Sequence, residues 1–143
     1  MTKQYIIGSR SFFKDLPEYK PADIDLLIVT DNPKGFKVNR CQSGAGKCIF
    51  EFKLMSAQEF IAYHLSLNFP LGVGKFLNPK FAKDIGLTIE QLKLLENDFN
   101  RLDNRHQYEK VIFEAYVENN AFRLTDEQLL KAFELYKSAR GYK

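Results

Sequence analysis

The chain has 143 residues, 45% hydrophobic and 27% charged, which is the size and make-up of one globular domain able to bury a core without disulfide or metal staples. That composition excludes extended disorder, and no apolar stretch approaches the length of a membrane span. The net charge of +3 is mild, with only a small basic cluster at Lys137, Arg140 and Lys143, whereas sequence-independent nucleic-acid binding needs a denser basic face.

Met1-Thr2-Lys3-Gln4 runs directly into a strand-like segment with no apolar signal region, so a cytoplasmic protein is expected, with Cys41 and Cys48 reduced. Two cysteines without matched partners make a poor zinc site. His64 and His106 share no motif and are expected to be half-buried or surface histidines without a catalytic role.

In chain order, residues 4–7 read as a short buried strand stopped by Gly8 and Ser9. Ser9 is expected to cap a brief helix over 10–16, which Pro17 and Pro21 end. Residues 23–30 read as a second strand whose apolar run Leu26-Leu27-Ile28-Val29 predicts cover on both faces. A turn at 31–35, a short edge strand at 36–39 and a Gly- and Ser-rich loop at 41–47 lead to a third main strand, 48–54. Ser56 and Glu59 form a capping box that opens a helix over 57–67. A connector spans 68–78, with an apolar stretch at 69–76.

Beyond it the pattern is helical. Thr88 with Gln91 and Thr125 with Gln128 are further capping boxes. Apolar stripes follow at Leu92, Leu95, Phe99 and Leu102, at Tyr108, Val111, Ile112 and Ala115, and at Leu129, Ala132, Phe133 and Tyr136. Asn104 is expected to cap the middle helix, and Asn119-Asn120 to end it. The expected fold is therefore α+β: an α/β core over 1–67, the connector over 68–78, and a helical region over 79–143 packed on the core.

The segment that carries chemistry is Ile7-Gly8-Ser9-Arg10 followed by Asp23-Ile24-Asp25-Leu26. Residues i and i+2 of a strand share a face, so Asp23 and Asp25 project together, and two adjacent carboxylates suit a hard divalent cation. Gly8 lets backbone approach a phosphate, and Ser9 offers a hydroxyl and an N–H at a helix start. By contrast, Ser43-Gly44-Ala45-Gly46-Lys47 fails as a P-loop, because Cys41 stands where the first Gly belongs and Cys48 replaces the Ser or Thr.

These motifs resemble the signature of the DNA polymerase β-like nucleotidyltransferase superfamily, closest to its small stand-alone members, over about residues 4–54. The resemblance implies a nucleotidyltransferase-type mixed β-sheet with helices. It also implies a Mg²⁺-dependent transfer of a nucleoside monophosphate from an NTP such as ATP to an acceptor hydroxyl, with release of pyrophosphate. Asp23 and Asp25 would hold the metal, and Arg10 and Lys14 would reach the phosphates. The superfamily usually adds a third carboxylate from a later strand, and Glu51 is the candidate for that catalytic and metal-binding position. The acceptor is a small molecule, a protein or an RNA. Ala22 stands where a Ser commonly precedes the first Asp, and the spacer is long for the family. The alternative is a catalytically weak or inactive module of the same fold that binds a protein partner, as an antitoxin or a subunit of a dimer does.

Overall fold

The computed structural model describes residues 2–20, 22–33, 37–40, 46–53, 55–66 and 72–142. Strands β1 (Lys3–Ile7), β2 (Ile24–Val29), β3 (Lys37–Arg40) and β4 (Gly46–Phe52) form one mixed sheet in the order β1-β2-β4-β3. The β2–β4 pair is parallel, and the β1–β2 and β3–β4 pairs are antiparallel. Register puts Ile7 and Cys48 on either side of Asp25, and Glu51 beside Ile28.

Alternation along the strands sends Tyr5, Ile7, Leu27 and Val29 to one face, where they are buried with Phe60, Phe76 and Phe81. The other face carries Ile6, at 36% exposure, with Leu26, Ile28 and Ile49 only partly buried. The expected cover of β2 on both faces is thus corrected to full cover on one, because the aromatic side chains that meet the sheet reach a single face.

The helices are α1 (Ser9–Phe13), α2 (Ala57–Leu65), α3 (Pro79–Ile85), α4 (Ile89–Lys93), α5 (Glu96–Asn100), α6 (Gln107–Asn119) and α7 (Asp126–Arg140). Two 3₁₀ turns, Val73–Phe76 and Asn104–His106, join them. Their ends follow local chemistry. Thr88 and Thr125 each form a complete capping box, and Ser56 Oγ accepts the Glu59 N–H. Asn78 Oδ1 accepts two N–H groups ahead of Pro79 at the start of α3. Asn120 ends α6 in the left-handed region, at φ 50°.

Two expectations shift. Asp103, not Asn104, supplies the capping oxygen before α6, and it caps a 3₁₀ turn through the Arg105 N–H. The single stripe over 92–102 is divided between α4 and α5, although Leu92, Leu95, Phe99 and Leu102 all stay inward.

One aromatic contact set binds the N-terminal and helical parts together. Phe13 of α1, fully buried, lies 5.2 Å from the rings of Phe133 and Tyr136 and 5.6 Å from Tyr108. His64 is also buried rather than at the surface, and the loss of solvent lowers its pKa to about 4, so it stays neutral in the core. Of the connector, Val73 and Phe76 are buried against the chain's own core, whereas residues 69–71 lie outside the described ones, as do Cys41 and the 41–45 loop. Among the described residues no helix is long and apolar enough to cross a membrane.

Candidate functional site

The end of β1 and the start of β2 are neighbours in the sheet, so the Gly8 turn and the Asp23–Asp25 segment meet at one edge. Gly8 has φ 76° and donates its N–H to the Lys75 carbonyl at 2.8 Å. A Cβ at this position would lie 2.4 Å from Asp25 Oδ2, so only glycine allows the carboxylate to come this close. Ser9 does not act as the expected cap. Gly8 occupies the N-cap position, and Ser9 Oγ is hydrogen-bonded to the Tyr19 hydroxyl at 2.9 Å.

Asp23 is pinned across the sheet, its Oδ1 accepting the Gly46 N–H at 2.8 Å. Asp25 is raised above the usual carboxylate range chiefly by burial; Lys75 and the Cys48 thiol oppose the shift, and the charge of Asp23 adds to it. Asp23, Asp25 and Ser9 all line one open cleft of about 490 Å³ between the sheet edge and the helices.

Glu51 does not join them. Cys48 is the β4 neighbour of Asp25, and Glu51 lies three positions further along, an odd offset that reverses its face and carries it ~10 Å along the strand. The expected third ligand is corrected on that ground: Cys48, and not a carboxylate, is the β4 neighbour of Asp25. Burial raises its thiol, with the neighbouring carboxylates adding to the shift, so it is a neutral hydrogen-bond donor and not a hard ligand.

The two expected phosphate-binding cations are also off the cleft. Arg10 Nη2 donates to the Ala22 carbonyl at 2.8 Å, bracing the spacer just before Asp23, and Lys14 is exposed at the far end of α1. Four other cations line the cleft: Lys20, Lys75, Arg105 and Arg140. None forms an ion pair with a carboxylate among the described residues, whereas Lys137 on α7 is paired with both Glu18 and Glu134.

Aromatic contacts orient three of the four, Lys75 Nζ lying 5.3 Å from the centre of the Phe50 ring. The Arg140 guanidinium lies 4.8 Å from the centre of the Tyr136 ring and donates to the Arg105 carbonyl at 2.9 Å. Lys20 Nζ lies 4.7 Å from the centre of the Tyr142 ring, and its backbone N–H donates to the Tyr142 hydroxyl at 3.0 Å. The only sequence signal for these groups is the basic cluster around Arg140; nothing local marks Lys75, Arg105 or Lys20.

Among the described residues no group of three or more His, Cys, Asp or Glu side chains is arranged to hold an ion. Two hard carboxylates facing one cleft nevertheless fit Mg²⁺, which keeps several waters and commonly takes one or two carboxylates together with substrate phosphates. No protein-family model, no curated protein and no solved structure matches the chain.

Proposed function

We propose that the chain is a Mg²⁺-dependent nucleotidyltransferase, moving a nucleoside monophosphate from an NTP to an acceptor hydroxyl with release of pyrophosphate. The supporting observation is that Asp23, Asp25 and Ser9 open on the same cleft as four cations, Lys20, Lys75, Arg105 and Arg140.

Asp23 and Asp25 would hold the metal, whose contribution is to neutralise phosphate charge and polarise the reacting phosphoryl group. Gly8 removes the side chain that would push Asp25 back, and Lys75 and Arg140 hold the phosphates that leave. The acceptor hydroxyl oxygen bonds to the α-phosphorus as the bond from that phosphorus to the α–β bridging oxygen breaks, its electron pair leaving with pyrophosphate and the hydroxyl proton passing to solvent water, so the chain acts by positioning and charge neutralisation.

The alternative, a catalytically weak or inactive binding module of the same fold, is favoured by one specific observation: Cys48, and not Glu51, is the β4 neighbour of Asp25. Calorimetry with each NTP and Mg²⁺, together with transfer of label from the α-phosphate, separates the two. Asp23→Ala combined with Asp25→Ala is expected to abolish the Mg²⁺-dependent part of binding while the fold persists. Nucleotide affinity indifferent to both Mg²⁺ and this double substitution would sink the whole proposal. Binding without transfer, with transfer appearing in Cys48→Asp, would leave the second reading standing.

A further inference from the structure

Glu109 lies on α6 at 1% exposure, and the cleft needs it for no contact of its own. Its Oε1 accepts the Gly74 N–H at 2.8 Å, and its Oε2 accepts no hydrogen bond among the described residues. A carboxyl buried with so little compensation is costly in the ionised form. Burial accordingly lifts it to about 7, against the opposing pull of Lys75, the Gly74 N–H, Tyr108 and Arg140.

The group it grips has no room to retreat. A Cβ on Gly74 would lie 2.7 Å from Glu109 Cβ and 3.0 Å from the Phe99 ring. The next residue, Lys75, accepts the Gly8 N–H on its carbonyl, and Gly8 is the residue packed against Asp25. The Lys75 ammonium also favours the ionised forms of both Asp25 and Glu109, so it is shared between the cleft and the buried carboxyl.

We infer that Glu109 is a positioning residue: from the helical part of the chain it locks the Val73–Phe76 turn, and through Lys75 and Gly8 it sets the contact between the Gly8 turn and Asp25. The consequence for nucleotide rests on the function proposed above; the linkage itself does not. The links are the Gly74 N–H bond to the Glu109 carboxyl, the peptide bond from Gly74 to Lys75 and the Gly8 N–H bond to the Lys75 carbonyl, so a change at Glu109 has a direct route to Gly8.

The test is amide NMR on the full chain, wild type against Glu109→Gln and Glu109→Ala, with ATP and Mg²⁺ as the ligand probe. The charged and titratable groups around Glu109 are Lys75 in the turn, Tyr108 on its own helix, Arg140 on α7, and His106, whose ring lies beside Gly72. In wild type the Gly74 and Gly8 amides should shift together with a midpoint near the pH at which Glu109 titrates, about 7. Glu109→Gln should remove that step from both amides and leave any step owed to Asp25 or His106. Glu109→Ala should speed exchange at Gly74 and Gly8 about tenfold while α6 and α7 stay protected, and weaken Mg²⁺–ATP binding, with Glu109→Gln recovering most of it.

If Gly8 does not follow Gly74, or if Glu109→Gln keeps the step, the inference is overturned. Should Glu109→Ala fail to fold, the wild-type and Glu109→Gln titrations decide alone. A coupled step in a chain that binds none of ATP, CTP, GTP and UTP with Mg²⁺ would support the linkage and remove the proposed function instead.

Discussion

Gly8 shows how much a single missing side chain does at this site. Its positive φ is unfavourable for other residues, and the space where a Cβ would stand is taken by Asp25 Oδ2. Gly8→Ala therefore combines backbone strain with displacement of the carboxylate. Denaturant unfolding should show a loss of about 1–3 kcal/mol, and calorimetry a loss of Mg²⁺–nucleotide affinity in the same variant. Retained affinity would mean that the position of Asp25 is not set by Gly8.

The carboxylate pair and the glycine were legible in the sequence because their chemistry is local: a two-residue spacing on a strand, and a residue type that only close approach or positive φ requires. Glu51 was misplaced for the opposite reason. Its face relative to Asp25 depends on how β2 and β4 are registered, and a one-residue change in register would reverse it.

Elements formed where capping and periodicity agreed. Both threonine capping boxes begin helices at the expected residues, since an N-cap contact involves only four consecutive positions. Thr125→Ala should cost about 1 kcal/mol, seen as a lower unfolding midpoint, with α7 fraying at its N-terminus by hydrogen exchange. An unchanged midpoint would show that packing of Phe133 and Tyr136, not the cap, holds that end.

The connector was harder to read. Gly72 and Gly74 look like loop punctuation, yet they belong to a tight 3₁₀ turn whose glycines accommodate Lys75, Glu109 and Phe99. That need for small residues comes from α5 and α6, more than 20 residues later in the chain, and leaves no local signature. Likewise α4 and α5 keep one apolar stripe across a break in the helix, so periodicity reported the buried face but not the interruption.

Across the whole molecule α1 and α2 share a core with the C-terminal helices that includes Phe13, while the sheet residues Tyr5, Ile7, Leu27 and Val29 form a second cluster with Phe60, Phe76 and Phe81. Phe13→Ala should lower stability by about 3–5 kcal/mol and loosen α1 and α7 together. Loss of protection in α1 alone would show that the two parts are less coupled than their packing indicates. This shared core also brings the cations of the helical part, Arg105 and Arg140, to the carboxylates of the sheet edge, and closes the cleft between them.

The sequence by itself determined the α+β character, the strands, the helix starts at Thr88 and Thr125, the inward stripes, and the placing of Gly8 and of Asp23 with Asp25. All of these depend on residues within a few positions of one another. Tertiary structure decided that Cys48 rather than Glu51 stands beside Asp25, that Lys75, Arg140, Arg105 and Lys20 replace Arg10 and Lys14 on the cleft, and that Glu109 grips the turn behind Gly8. Each of those depends on strand register or on the packing of segments far apart in the chain, and local propensity contains neither.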